Sequence, residues 1–493
     1  MKYNMSNMGH REFVPLRERT TDRLNDSGSR VVCDKCNGFF ARRWFAGHRI
    51  RCVGDSCIEP KPVPLSVLFS SQNLPEDFKT EILSKFNQDE VGKMCQTDEM
   101  ITMIGSKLYS KTKARQDKKT EVRRSVMTDM RRLATLFMHF KVVWEKRNPP
   151  ESAVGQNVPD FVDMFRRRNY EILEEACNSY TSPDDEASDS KSGLMICLYY
   201  LLINAAKKIR VYYLVKENTV AATETAEFLE ILAFNKHSLV GGAVYLNNKN
   251  RQTRLRRVQH LPKEEDLQKV REHTMSRIKF LIEDPFLHWT SSEFVELRDL
   301  VCSRLTLFNV RRGGEPARLR ATDWQDACNG VWIDRSRQTE IPAEEKALMD
   351  DQSLIMYQTG KGINHLVPVI VPSDTIDALK KLNDQELRMS SGIREDNPYL
   401  FPSTLQSEGH VSGWHAISRV CQRAGVQEKM ITATKMRHLT STMYASLDIA
   451  EEKRSAFYKH MGHSRDINEH IYQAPVAEIE LRQVGTVLRQ FGK

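Results

Sequence analysis

At 493 residues with 40% hydrophobic side chains, the chain is too long for one ordinary core and divides into two or three folded units. A formal charge of +8 suits a polyanionic partner such as nucleic acid, and spread over this length it equally suits solubility alone. Ten cysteines, mostly scattered, argue against a disulfide framework, and no secretory signal opens the sequence, so the expectation is an intracellular protein, nuclear if eukaryotic and otherwise cytoplasmic.

Residues 1–27 are polar and aperiodic, with too little apolar surface to offset the entropy of ordering, which predicts a flexible arm. Next, CDKCNGFFARRWFAGHRIRC sets Cys33 and Cys36 with two residues between them, then His48 and Cys52 with three, the spacing of zinc ligands. A zinc finger is expected over 28–60, with Cys33, Cys36, His48 and Cys52 holding a structural zinc ion and Phe40 and Phe45 forming its small core. Cys57 is a spare or alternative ligand, and a metal-free cysteine pair beside a casual histidine is the competing reading. Arg42, Arg43, Arg49 and Arg51 make the segment basic, which suits phosphate contacts, although a protein-binding finger has the same composition.

Residues 61–117 mix character and end in the basic run SKTKARQDKK, so they are left as a linker of unassigned fold. From Thr120, MTDMRRLATLFMHFKVVW repeats apolar groups at three- and four-residue steps, an amphipathic helix with Arg and Lys on the wet face. The acidic, turn-rich SPDDEASDSKSG near Ser182 is an exposed loop. The apolar run from Leu194 to Val215 is broken by Asn204, Lys207, Lys208 and Arg210 before it spans roughly 30 Å of hydrocarbon, which predicts a buried helix and no membrane crossing. With ATETAEFLEILAF this makes 118–260 all-α.

A further unit, 261–493, opens at LPKEEDLQKVREHTMSRI, where Pro262 and an acidic first turn mark a helix start. Thr290 and Glu293 have capping-box spacing ahead of FVELRDLVCSRLTLF. SLIMYQ, the turn TGKG and LVPVIVP then read as a β-hairpin, with helices from about Asp374 onward. The whole is a multidomain, mainly α chain, without internal repeats, whose last domain carries a small sheet.

Four patterns follow in order within this unit: RRGGEPARL with Arg312 and Glu315 three apart; TGKG with Lys361 at the hairpin tip; ATKMRHLTSTMYA with Arg437 at the start of an apolar helix; and MGHSRDINEHIY, in which His463 precedes Tyr472 by nine positions. Alone, each is an ordinary ion pair, solvated turn, cap or packed tyrosine; their joint order is what carries information. Over 261–493 the sequence resembles the tyrosine recombinases, the family of phage-type integrases and chromosome-dimer resolvases. Arg312 with Glu315 matches that family's first arginine motif, Lys361 its hairpin lysine, Arg437 its second arginine, and His463 with Tyr472 its Gly-His-to-Tyr spacing; the LPK opening at Leu261 is also similar.

The resemblance implies a recombinase catalytic domain over 261–493 and a DNA core-binding-like role for 118–260. It implies that Tyr472 attacks a DNA phosphate to give a 3′-phosphotyrosyl intermediate, while Arg312 and Arg437 clamp the phosphate. Lys361 would protonate the leaving 5′-oxygen, and His463 would bond the phosphate or shuttle the tyrosine proton, with Glu315 as support. Two guanidiniums suit this role because each stays charged and presents paired donors to a phosphate. Neither ATP nor a catalytic metal is required, since bond energy is kept in the covalent intermediate. The implied partners are double-stranded DNA and other copies of the chain in a homotetramer. The tail VAEIELRQVGTVLRQF, with helical spacing of Ile479, Val484, Val487 and Leu488, would pack on its own domain or dock on a neighbouring protomer. A finger ahead of such a domain is similar to mobile elements of the eukaryotic Crypton type.

One position departs. Thr434 stands where the family usually has a histidine three residues before the second arginine, and Lys435 and His438 flank the position without occupying it. A domesticated, non-catalytic DNA-binding protein is therefore the alternative, and a type IB topoisomerase-like activity is a third reading.

Overall fold

The computed structural model describes residues 30–33, 38–41, 44–52, 62–64, 74–114, 118–148, 158–182, 191–255, 260–333, 354–360, 366–427, 429–447, 449–475, 477 and 480–491. The expected arm 1–27, most of the acidic loop after Ser182, Cys36, Cys57 and Lys361 lie outside them. The chain divides into two compact units, Met1–Asn248 and Lys249–Lys493. The boundary falls inside a helix, about a dozen residues before the Leu261 start expected for the second unit. Among the described residues no helix is long and apolar enough to cross a membrane.

Among the described residues of the first unit, the earliest form a three-stranded antiparallel sheet in the order β2-β1-β3, made of β1 (Arg30–Cys33), β2 (Phe39–Ala41) and β3 (Pro62–Pro64), with helix α1 (Phe45–Cys52) after β2. Two prolines confine β3 to the edge, where their missing N–H groups cost no ladder bond. Val31, Cys33 and Phe45 form a small core against Phe40 and Cys52.

Among the described residues, the rest of this unit is mainly helical. From Glu76 the chain forms α2 (Glu76–Glu81), α3 (Glu90–Thr97) and α4 (Glu99–Thr112) before the long α5 (Lys119–Arg147). Phe78, Ile82, Leu83, Ile101 and Ile104 share one core with Met130, Leu133, Phe137 and Phe140 of α5. The expected linker is thus replaced, from Leu74 onward, by helices that complete the α5 core. Helices as short as α2 and α3 lack a long periodic stripe and escape a reading based on periodicity. Asp89 and Asp98 cap α3 and α4 by accepting backbone N–H bonds. At Gly105 a Cβ would come within 2.4 Å of the Met130 sulfur, so glycine sets the close approach of α4 to α5.

Beyond α6 (Tyr170–Thr181), the apolar run from Leu194 is helix α7 (Ser192–Val215), followed by α8 (Thr219–Phe234) and α9 (Lys236–Leu255). Leu198, Leu202, Ala205, Ala206 and Ile209 of α7 are buried, whereas Lys207 and Arg210 are exposed.

In the second unit α10 (Glu264–Glu283) and α11 (Ser291–Phe308) pack together, and the Thr290 capping box forms as its spacing predicts. After α12 (Ala321–Cys328) comes the hairpin of β4 (Leu354–Thr359) and β5 (Leu366–Val371), in register from Leu354↔Val371 to Thr359↔Leu366. Then follow α13 (Ile376–Leu382), α14 (Gln385–Ser390), α15 (Gly413–Arg423), α16 (Ala433–Ser446) and α17 (Glu451–Met461). Phe294, Leu297, Leu300, Met356, Val369, Leu379, Phe401 and Ile417 lie in one core that joins helices to hairpin. A π-helical turn, Asn468–Tyr472, and the terminal α18 (Gly485–Phe491) complete the fold; Leu481, Val484, Val487 and Leu488 are exposed on the chain.

Candidate functional site

The loop after α11 is held in an uncommon conformation. Val310 takes a left-handed φ of 53°, costly for a β-branched residue, and it reverses the chain so that Arg311 and Arg312 follow at once. Glu315 folds back on this loop: its carboxylate accepts from the Arg312 side chain at 3.0 Å and from the Arg312 backbone N–H at 3.3 Å. Glu315 is buried, while the Arg312 side chain keeps 37% of its surface exposed, so the ion pair orients a guanidinium that still faces solvent.

Gly313 passes directly against α15. A Cβ on Gly413 would sit 1.9 Å from the Gly313 carbonyl oxygen, so only glycine allows the two backbones to meet. The loop is also fastened to the hairpin. Asn309 donates to the Ile370 carbonyl and accepts from the Ile370 N–H, both at 2.7 Å; Arg311 Nε donates to the Pro368 carbonyl at 3.0 Å; and the Gln358 amide donates to the Glu315 carbonyl. Lys361, expected from the sequence at the tip of that hairpin, lies outside the described residues.

Helix α16 supplies the second arginine. Thr432 caps it by accepting from the Lys435 N–H, and the helix buries Arg437, His438, Ser441 and Thr442. The expected apolar helix therefore turns a polar stripe inward. Its purpose is visible in its partners: Ser441 accepts from the Asn468 side chain at 3.1 Å, and Thr442 accepts from the Ala474 N–H at 2.8 Å. Fully buried Asn468 also accepts from the Gln473 side chain, which fixes the turn that carries Tyr472. π-Helical turns are rare and frequently lie at functional sites.

Arg437, 2% exposed, donates to the Val310 carbonyl at 2.7 Å and to the Met461 carbonyl at 2.8 Å. Burial lowers its pKa below the usual arginine range; a hydrogen bond to the Tyr472 side chain and the Glu315 charge oppose that, and Arg312 adds to it. After Gly462 closes α17 in the left-handed region, His463 points its Nε2 at both guanidiniums: Arg312 Nη2 is 3.3 Å away and Arg437 Nη2 is also bonded to it. Guanidiniums only donate, so this nitrogen is a lone-pair acceptor and the ring is neutral. Burial first, and then Arg437, Arg312 and Arg311, hold the His463 pKa down at about 3.

The Tyr472 ring stacks on His463 with centroids 4.2 Å apart and lies under the Arg437 guanidinium at 5.1 Å. His438 packs on it at 4.8 Å and meets the Tyr472 carbonyl through Nδ1 at 2.9 Å. Because a carbonyl only accepts, His438 Nδ1 carries the proton and its Nε2 is left as an acceptor. Burial keeps the His438 pKa below the ordinary histidine range. Arg312, Glu315, Arg437, His463 and Tyr472, spread over 160 residues of sequence, thus form one contact cluster. Sequence reasoning passed over Arg311, Ser441, Thr442 and Asn468 and named His438 only as flanking the second-arginine position; for the residues of α16, polar side chains at helical spacing from Arg437 were the available signal. Thr434, one turn before His438 on the same side of α16, is exposed in the first turn of the helix, beyond the end of the buried stripe.

In the first unit, the ligand atoms of Cys33, His48 and Cys52 lie within 4.8 Å of one another, a group able to hold a metal ion. The two sulfurs are 3.9 Å apart, far beyond a disulfide. That separation is close to the edge, about 3.8 Å, of a tetrahedron with metal–sulfur bonds of about 2.3 Å. Phe40 stacks on His48 at 3.7 Å and contacts Phe45 edge-on at 6.0 Å, so the aromatic pair does pack beside the cluster. Cys36 is outside the described residues. No family model, curated protein or solved structure matches the chain.

Proposed function

We propose that the chain breaks and rejoins DNA through a covalent tyrosyl intermediate, as a tyrosine-recombinase-type integrase, recombinase or transposase. The observation that carries this reading is the contact of Tyr472 with His463 and Arg437, with Arg312 bonded to the same histidine. Two guanidiniums, one partly open to solvent and one beside the tyrosine, suit a phosphodiester whose nonbridging oxygens gain charge as the nucleophile approaches.

In the proposed reaction the Tyr472 oxygen bonds to phosphorus, the bond to the 5′-oxygen breaks, and a 3′-phosphotyrosyl ester remains. The tyrosine proton passes toward the lone pair of neutral His463. In the free protein that histidine is a weak base because cations surround it. A bound phosphodiester supplies opposing charge and restores its basicity. The leaving oxygen takes its proton from Lys361. Rejoining reverses these steps with a new 5′-hydroxyl, and no ATP or catalytic metal enters.

Cys33, His48 and Cys52, with Cys36 as fourth ligand, are proposed to bind structural zinc, and the basic finger to contact DNA backbone. The helical 118–260 segment is proposed as a core-binding domain. Some of its cations are already neutralised: Arg131 pairs with Asp89 and Arg147 with Glu171 and Glu175, so its charge alone is a weak argument for DNA. The exposed apolar side chains around α18 fit docking on a neighbouring copy, and the resemblance implies that such copies assemble as a homotetramer on DNA.

The test is a nicked suicide duplex carrying the element's own site. Wild type should form a covalent adduct that Tyr472→Phe abolishes while DNA binding is retained. Binding without an adduct favours the non-catalytic reading, which the exposed Thr434 motivates. Relaxation of supercoiled plasmid of any sequence by the monomer favours the topoisomerase-like one.

A further inference from the structure

Next to the cluster lies a third guanidinium that no motif identifies. Arg311 is 1% exposed, and of its donors Nε is engaged by the Pro368 carbonyl. Its Nη2 is buried with no hydrogen-bond partner among the described residues, and the same holds for Nε of Arg437. An unpartnered N–H on a buried cation costs folding free energy, and a neutral side chain of similar length would avoid that cost. The charge is felt by the site: Arg437 and Arg312 each act on Arg311, and Arg311 acts on His463.

We propose that Arg311 is a positioning residue for phosphoryl chemistry, a fixed buried charge that stabilises the reacting phosphoryl group without touching it. The proposal rests on the DNA-cleavage reading above. The charge balance motivates it. Among the described groups of the cluster, Glu315 offsets one of the three arginines, and His438, His463 and His460, whose Nε2 meets the Asn309 carbonyl at 3.0 Å, are all held below the usual histidine range, which leaves these groups with two positive charges in excess at neutral pH.

A phosphodiester brings a single negative charge, and more develops as the nucleophilic oxygen joins. A second net positive charge is therefore matched to the transition state more than to bound substrate. Burial keeps water from screening it, and the bonds from Asn309 and Arg311 to β5 keep it from moving toward the ligand.

The test compares Arg311→Gln, which can still donate to the Pro368 carbonyl but is neutral, with Arg311→Lys, which keeps the charge. Binding of the nicked duplex and the single-turnover rate of adduct formation are measured for each, together with the His463 titration in DNA-free protein by NMR of labelled histidine. The expected result for Arg311→Gln is a rate lowered about 10- to 100-fold with duplex affinity within about threefold. Arg311→Lys should recover most of the rate, and His463 should titrate higher in the glutamine variant than in wild type or the lysine variant.

Equal loss of rate and of thermal stability in both variants makes Arg311 a packing residue and overturns the proposal, as does an unmoved His463 titration. If wild type itself forms no adduct, the cleavage reading fails and the assignment to phosphoryl chemistry falls with it. The His463 titration then still decides separately whether Arg311 places its charge on the site.

Discussion

Nε2 of His463 lies 3.3 Å from Nη2 of Arg312 while it also accepts from Arg437, so one neutral ring nitrogen joins two cations that would otherwise repel. Protonation destroys that arrangement, and the sign of the pH dependence follows. The folded His463 pKa of about 3 lies below the unfolded value of 6.5, so between them the unfolded chain binds more protons. Its contribution is complete above about pH 6.5 and is lost as pH falls toward 3. The slope is at most about 1.4 kcal/mol per pH unit, and smaller for a ring still partly exposed. Urea unfolding of wild type and His463→Gln at pH 7 and pH 5 should show the gap between them narrowing at the lower pH. Because His438 and His460 are lowered too and remain in both proteins, only the difference reports on His463; a constant gap refutes the assignment.

Binding of DNA should reverse this preference. A phosphodiester beside Arg312 and Arg437 offsets the charges that hold His463 down, so its pKa rises and binding takes up protons at mildly acidic pH. Affinity for the duplex should therefore increase from pH 7 to pH 5.5 in wild type by more than in His463→Gln. Calorimetry in two buffers of different ionisation enthalpy measures the uptake directly. Identical proton counts for the two proteins would place the phosphate elsewhere.

The Tyr472 turn depends on Asn468, whose side chain donates to Ser441 and accepts from Gln473 in a fully buried position. Asn468→Ala leaves buried Ser441 and half-buried Gln473 to be satisfied otherwise and should cost about 1–3 kcal/mol of stability. Because the turn carries the nucleophile and no cation, adduct formation should fall by more than duplex affinity does. A variant that loses affinity and rate in equal proportion contradicts this division of labour.

Why some of this is legible in sequence and some is not can be argued from single residues. The β4–β5 hairpin and the Thr290 cap follow from local pattern, since alternation, turn glycines and Thr-to-Glu spacing act within a few residues. Arg312, Arg437, His463 and Tyr472 are legible only through their order, because their meeting depends on long-range contacts. His438 is visible in sequence as a flanking residue, but its contact with Tyr472 is hidden for a different reason. It differs from Thr434 by a single turn of helix, and which of the two faces Tyr472 is decided by the packing of α16 on the 468–472 turn. The helices from Glu76 to Thr112 are short and capped by Asp89 and Asp98, with stability drawn from α5 more than from their own periodicity.

At Gly413 the constraint is purely steric. An added methyl group would meet the Gly313 carbonyl at 1.9 Å, backbone against backbone, so neither side has a flexible atom to give way. Gly413→Ala must displace the loop that holds Arg312 and Glu315 or shift the start of α15. A loss of about 1–3 kcal/mol is expected, with weaker duplex binding, since it is a cation that moves. Gly314→Ala is the control: there a Cβ meets only the end of the Arg318 side chain, at 3.0 Å, which rotates more cheaply. Equal effects from the two substitutions would mean that the contact between the two backbones is not what holds the loop.

The metal group leads to a prediction that separates the two units. Among the described residues, Val31, Cys33 and Phe45, backed by Phe40 and Cys52, are too few to hold the three-stranded sheet and α1 together by apolar burial alone. Bound zinc would replace the contact between the Cys33 and Cys52 sulfurs, 3.9 Å apart, with two shared bonds to a single ion. One zinc per chain is expected by metal analysis at neutral pH. Removal by a strong chelator should make the 28–60 segment sensitive to protease, and Cys33→Ser or Cys52→Ser should do the same without chelator. The second unit draws its core from Phe294, Leu300, Val369 and their neighbours and shares none of these ligands. Its thermal transition should therefore survive chelation unchanged, whereas affinity for duplex should fall if the finger touches backbone. A chain purified without metal whose 28–60 segment still resists protease would show that packing alone suffices there and would remove the case for zinc.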